Sequence, residues 1–212
     1  MSQRWRDPPP KGTAICAGFD GSENDDWTVI RAETYDGLQF TPRYGPDGAP
    51  TIWAPGDYAD GRIPRDQVHV AWKHITSYYR LERAYCDPGF HDELSWATEI
   101  EFWATTYGEK TFIPWAMNGS GRVKPVHEML QRFIADLTNR GIRHDGCPVT
   151  SAHMANAKKI PKLGGRYVLG KPTPAQKIDA AVTSALAHEA ACDARADGWS
   201  PQPKDRRVLV FR

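Results

Sequence analysis

The sequence predicts an α/β fold, a mixed central sheet flanked by helices, and two patterns carry that expectation. Strand-like runs come first and in close succession, joined early by a hairpin signal at Asp36-Gly37. Strand-like and helical segments then alternate, which adds parallel pairs to an antiparallel meander. At 212 residues, 40% of them hydrophobic, the chain is long enough for one domain with a substantial core.

Residues 1–12, with Pro8-Pro9-Pro10, read as an extended lead-in or linker, and residues 13–212 as a single domain. The first strand runs from Thr13 to Asp20. Beyond a polar loop, 27–33 gives a second strand, and 38–40 a third after the Asp36-Gly37 turn. Residues 41–63, rich in glycine and proline, are expected to be mostly loop around Thr51-Ile52-Trp53. Pro64 suits the first position of a helix along which Val68, Ala71, Trp72, Ile75 and Tyr79 fall at helical spacing. A strand over 81–86 ends at Asp87, and a helix carrying Leu94, Trp96, Ile100, Trp103 and Tyr107 stops at Gly108. A short strand covers 111–115. The cleanest amphipathic helix carries Val126, Met129, Leu130, Phe133, Ile134 and Leu137 and ends at Gly141. A short strand at 147–150, a turn of helix over 152–158 and a strand over 166–169 are expected next. Thr173-Pro174-Ala175-Gln176 fits a capping box, so the last helix should start there, with Asp179 in its second turn. Ile178, Val182, Ala185 and Leu186 are its expected buried stripe.

A formal net charge of +1 points to neither a nucleic-acid nor a membrane partner, so only the distribution of charge is informative. Cys16, Cys86, Cys147 and Cys192 are scattered, form no CxxC pair and argue against a zinc site of the usual spacing. Two of them fall in core strands, which suits buried thiols in a reducing, cytoplasmic setting. No apolar run reaches membrane-spanning length, and the proline-rich start is no signal peptide. His91-Asp92-Glu93-Leu94 is internal rather than a C-terminal retention signal, and Asn118-Gly119-Ser120 is a sequon only in a secreted protein.

Chemistry concentrates in Asp20, Asp87 and Asp179. The first two end predicted core strands, and each, taken singly, also suits a turn. Asp179 is harder to explain as structure. It sits among the alanines and valine of a core helix, with Val182 and Thr183 rather than a basic residue one turn ahead. Carboxylates at strand ends converge at one sheet edge, and clustered like charges repel unless cations lie between them. Hard oxygen ligands of this kind suit two magnesium or manganese ions, which support phosphodiester cleavage without a histidine base. The seven histidines offer no ligand pair on one helix face; His91 and Glu128 are outer candidates. A second signal lies between Gly146 and Ile178, where there is no Asp or Glu. The same stretch and its edge carry Lys158, Lys159, Lys162, Arg166, Lys171 and Lys177. Neutralising phosphates is the natural use of such a run.

Three segments in order, Gly18-Phe19-Asp20-Gly21-Ser22 with Asp25-Asp26-Trp27-Thr28 downstream, Tyr85-Cys86-Asp87-Pro88, and Lys177-Ile178-Asp179-Ala180-Ala181-Val182, resemble the nuclease domain of tailed-bacteriophage terminase large subunits. The resemblance spans roughly residues 13–190. It implies a ribonuclease H-like fold and a metal-dependent endonuclease that cuts double-stranded concatemeric viral DNA during packaging, in the host cell cytoplasm. Asp20, Asp87 and Asp179 would hold the metals, and Asp25 or Asp26 matches a further acidic position. It also implies a portal protein and a small terminase subunit as partners. The chain departs from whole large subunits in lacking a GxxxxGK[ST] loop, so a nuclease domain without its packaging ATPase is expected. A junction resolvase, a transposase or ribonuclease H itself would keep the fold and change the substrate. A non-catalytic docking module of the packaging motor would leave the acids structural.

Overall fold

The computed structural model describes residues 4–22, 26–89 and 95–201. Its strands and helices are, in chain order, β1 (Ala14–Asp20), β2 (Thr28–Thr34), β3 (Leu38–Phe40), β4 (Arg43–Tyr44), β5 (Ala49–Pro50), β6 (Ile52–Trp53), α1 (Arg65–Tyr78), β7 (Arg80–Asp87), α2 (Ala97–Tyr107), β8 (Phe112–Pro114), α3 (Val123–Thr138), β9 (Arg143–His144), α4 (Pro148–Asn156), β10 (Lys158–Lys162), β11 (Arg166–Gly170) and α5 (Asp179–Ala196). The main sheet runs β8-β7-β1-β2-β3-β9, with β6 on β2. The meander β1-β2-β3 is antiparallel, whereas β7 and β8 continue the other side of β1 in parallel. The mixed sheet flanked by helices is the predicted class.

Alternation along β1 sorts the two faces of the sheet. Ile15, Ala17 and Phe19 point into a core with Trp72 of α1 and Trp96 and Trp103 around α2. Ala14 and Cys16 point the other way, into a core built by α3 and α5. Gly18 and Asp20 share that second face by the same period. Helix α5 crosses directly over Gly18, where an added Cβ would run into the Thr183 carbonyl oxygen and the Ala187 nitrogen. The helix meets the sheet through small residues: Ala180, Ala181, Ala185, Ala187, Ala190, Ala191 and Ala194 are all buried. Nearly its whole circumference is covered, so it is a central helix rather than an amphipathic one.

Four local expectations need correction. Residues 147–150 do not form a strand; Pro148 opens α4, the role proline favours, and the strand of that region is β9. Pro64 precedes α1 as its N-cap residue rather than its first helical position. Residues 158–162, read partly as helix, form β10, which pairs antiparallel with β11. Finally, α5 starts at Asp179, not near Pro174. Thr173 and Gln176 close an isolated turn, their side chains 3.3 Å apart. Leu94, expected in α2, lies outside the described residues.

The segment 4–12 carries no helix or strand, yet it is fastened down. The Trp5 indole donates to Asp145 Oδ2 at 3.1 Å, and the Arg6 N–H donates to the Asp145 carbonyl at 2.8 Å. Asp145 also pairs with Arg31 of β2, 3.1 Å away and fully buried. Burial alone would raise that carboxyl, but the Arg31 charge and the Thr41 and Cys147 N–H groups outweigh it and lower its pKa. No helix of the described residues is long and apolar enough to cross a membrane.

Candidate metal and nucleic-acid site

Asp20 and Asp87 are the last residues of two parallel neighbours, and the strand register sets them directly opposite each other. Tyr85 shares the α5 face of β7, so Asp87, two residues on, lies on the same face as Asp20. Asp179, the first residue of α5, closes the cluster from above. Asp26, just before β2, adds a fourth carboxylate. All four line one cleft of about 380 Å³. The structure thus brings together the three acids expected from sequence, and Asp26, one of the two candidates for the further acidic position, lines the same cleft. Asp25 and His91 lie outside the described residues.

The electrostatics follow from that convergence. Burial, then the charges of Asp87, Asp179 and Asp26, push the Asp20 carboxyl well above its ordinary range. Burial also raises Asp87, although the Gly89 and Met117 N–H groups oppose it; the Gly89 N–H donates to Oδ1 at 3.1 Å. Asp179 is pushed up to about 6 by burial and by Asp26. Its Oδ2 is buried without a hydrogen-bond partner. The ring of His153 lies 3.9 Å away, but this is no ion pair. His153 Nδ1 accepts from the Ala180 N–H at 3.1 Å, and burial with the Lys177 charge brings its pKa down to about 4. A neutral imidazole therefore caps the start of α5.

Lys171 and Lys177 both reach Asp26 Oδ1, at 2.6 and 2.7 Å. Among the described residues no lysine or arginine nitrogen pairs with Asp20, Asp87 or Asp179. A cleft with an orphaned buried carboxylate oxygen and three carboxyls raised chiefly by burial offers carboxylate oxygens that fit a hard divalent cation.

The other basic residues occupy a different position. Lys158, Lys159, Lys162 and Arg166 are exposed on the β10–β11 hairpin. The inner end of that hairpin, Val168 to Lys171, forms a wall of the cleft. Tyr167 anchors it to α3 through His127, whose Nδ1 accepts the Tyr167 N–H at 3.3 Å. Glu128 faces outward on α3 beside Lys124, 3.8 Å away, and does not line the cleft. Sequence reasoning missed His153, whose isolated position in the chain gives no signal.

This sheet order, with strand-end acids beneath the first turn of a covering helix, defines a ribonuclease H-like α/β fold. Among solved structures the chain matches the large terminase nuclease of thermophilic phage G20c with bound magnesium at a TM-score of 0.60. The match has 13% identity and covers 85% of this chain and 84% of that one. The HK97 bacteriophage large terminase matches with a TM-score of 0.58 and 13% identity, over 86% of this chain and 40% of that one. The Thermus phage P74-26 large terminase nuclease domain matches at 0.53 and 14% identity, over 83% and 78%. A further G20c nuclease structure contains bound cobalt. The chain therefore has the fold of large terminase nuclease domains. By sequence it is 30% identical to the Gene 13 protein of Mycobacterium phage D29 and 29% identical to that of Mycobacterium phage L5. Each match covers 97% of this chain and 33% of the relative, so the chain spans about a third of the length of these curated relatives. No family model matches.

Proposed function

We propose that this chain is a metal-dependent endonuclease that cuts double-stranded concatemeric viral DNA during genome packaging. The observation that carries the proposal is the meeting of Asp20, Asp87 and Asp179 at one strand edge beneath α5. Asp20, Asp87 and Asp179 would together hold two magnesium or manganese ions. Divalent cations held there would supply electrophilic assistance to phosphodiester hydrolysis. Asp26 lies at the mouth of the same cleft, neutralised by Lys171 and Lys177. Those lysines add positive charge where a phosphate would approach, and the exposed cations of the hairpin extend it along a duplex. A fold shared with large terminase nucleases supports the same reading, with a portal protein and a small terminase subunit as proposed partners of the whole motor.

Purified protein should nick or linearise supercoiled plasmid with magnesium or manganese, and EDTA should stop it. Asp179→Asn should lower cutting by at least about a hundredfold while the chain stays folded. Cutting that survives this substitution would exclude the assigned site. A chain with no cleavage under any divalent cation would instead be a docking module with structural acids.

A further inference from the structure

A second cluster of metal-ligating groups lies on the C-terminal half of α5, away from the cleft. His188 and Cys192, one turn apart on that helix, face Asp136 in the last turn of α3. His188 Nε2 is 3.0 Å from Asp136 Oδ2 and 3.4 Å from Cys192 Sγ, and the three donor atoms all lie within 4.8 Å of one another. Nine residues of helix separate Asp179 from His188, about 14 Å along the axis, so the two sites share no ligand. We propose that Asp136, His188 and Cys192 form a second, independent cation site, selective for a borderline or soft divalent ion of the zinc class.

Several features favour this assignment. The donors are imidazole nitrogen, thiol sulfur and carboxylate oxygen, the mixture that zinc takes and magnesium does not. Their separations, 3.0 and 3.4 Å with all three atoms within 4.8 Å, need only small shifts to reach the roughly 3.3–3.7 Å between ligands of one tetrahedral ion at bond lengths of about 2.0–2.3 Å. The outer contacts are also built. Glu33 Oε2 holds His188 Nδ1 at 2.9 Å and is itself fixed by Gln39 at 3.0 Å, which directs Nε2 toward the cluster. Asp136 places a carboxylate near the C-terminal end of α3, where the helix dipole favours a cation. Its side chain is 46% exposed, which opens the cluster to solvent ions, while His188 is buried.

The competing occupant of the same geometry is a proton: an imidazolium at His188 donating to both Glu33 and Asp136. A divalent ion would take the place of that Nε2 proton and of the Cys192 thiol proton. Two positive charges replace two, so the cluster, with Arg195 paired to Glu33 at 2.6 Å, keeps its net charge. Held this way, the ion would fasten α3 to α5 and, through Glu33, to β2.

Cobalt(II) distinguishes the two states, because a thiolate ligand gives a charge-transfer band that carboxylates alone cannot produce. Titrated into the full chain under reducing conditions, cobalt should develop that band to saturation at about one equivalent, and zinc should abolish it. The band should disappear in Cys192→Ser and persist in Asp87→Asn, which alters only the cleft. Cys16, Cys86 and Cys147 are buried, and none of them is among the three clustered donors. Asp136→Asn, on the exposed rim, should weaken cobalt affinity by more than about tenfold and provides a second variant should Cys192→Ser fold poorly. No band in the wild-type chain, or a band that survives Cys192→Ser, would overturn the site and leave a protonated His188 clamp.

Discussion

Gly18 determines how closely α5 can approach β1, where Asp20 lies two residues further along. Without a side chain it lets the Thr183 carbonyl and the Ala187 nitrogen lie against the strand, and backbone atoms cannot move aside as a flexible side chain could. A methyl group there must therefore lift the helix. Gly18→Ala is expected to destabilise the chain by about 3 kcal/mol, the upper part of the range for overpacking. Because α5 also carries Asp179, the same lift should widen the cleft. Divalent-metal affinity should therefore fall further than the stability loss alone explains. Chemical denaturation beside metal titration of the still-folded variant checks both; unchanged metal affinity would mean that α5 does not set the geometry of the acids.

The hairpin β10–β11 is the element that exposes Lys158, Lys159, Lys162 and Arg166 of the basic segment. Its lysines are exposed, so removing their charge should leave the fold intact. Changing Lys158, Lys159 and Lys162 together to Gln is expected to leave the melting temperature within a degree or two. It should also weaken duplex binding and flatten the salt dependence, by up to about 0.9 in logarithmic slope for each phosphate the variant no longer neutralises. An unaltered slope would make the segment a solvated surface. This element is also the least legible in the sequence. Every residue of β10 is exposed, so no apolar alternation marks it, and Pro161 argues against a strand except at an edge. The segment before α5 misleads for the opposite reason. Thr173 to Gln176 has the chemistry of a helix start, but Lys171 and Lys177 must both reach Asp26, and that tertiary pairing holds the intervening residues in a loop. Strands β1, β2 and β7 are readable because they are largely buried, and β1 and β7 end on the acids. Spacing alone does not separate Asp26 from Asp25. The His188–Cys192 pair is hidden because it joins one histidine to one cysteine on a single helix face, and its third member, Asp136, comes from another helix.

Across the whole molecule, the cleft makes stability depend on pH in a direction opposite to that of an ordinary salt-bridged protein. Asp179, held at about 6 in the fold, binds its proton more tightly than in the unfolded chain, whose carboxyl has the ordinary value of 3.8. The native state thus carries more protons over that window, and stability falls as pH rises. The stabilisation is complete below about pH 4 and is lost by the time pH has passed through 6. His153 acts in the reverse sense. Its fold value of about 4 lies below the ordinary 6.5, so its contribution is present above 6.5 and is lost as pH falls through 4. The two overlap, so a wild-type profile alone would hide both. Asp179→Asn removes one and keeps the other. In EDTA, the variant's stability relative to wild type should grow from near zero at pH 4 to about 3 kcal/mol at pH 7, the equivalent of a two-unit displacement. Urea denaturation at each pH measures that difference. Adding magnesium or manganese at pH 7 should then raise the wild type toward the variant, because bound cations relieve the crowding that Asn removes by substitution. Parallel profiles for the two proteins from pH 4 to 8 would mean that the Asp179 carboxyl is not strained in the metal-free fold. A gap that grows with pH but does not respond to either cation would locate the strain there while denying the cleft its metal.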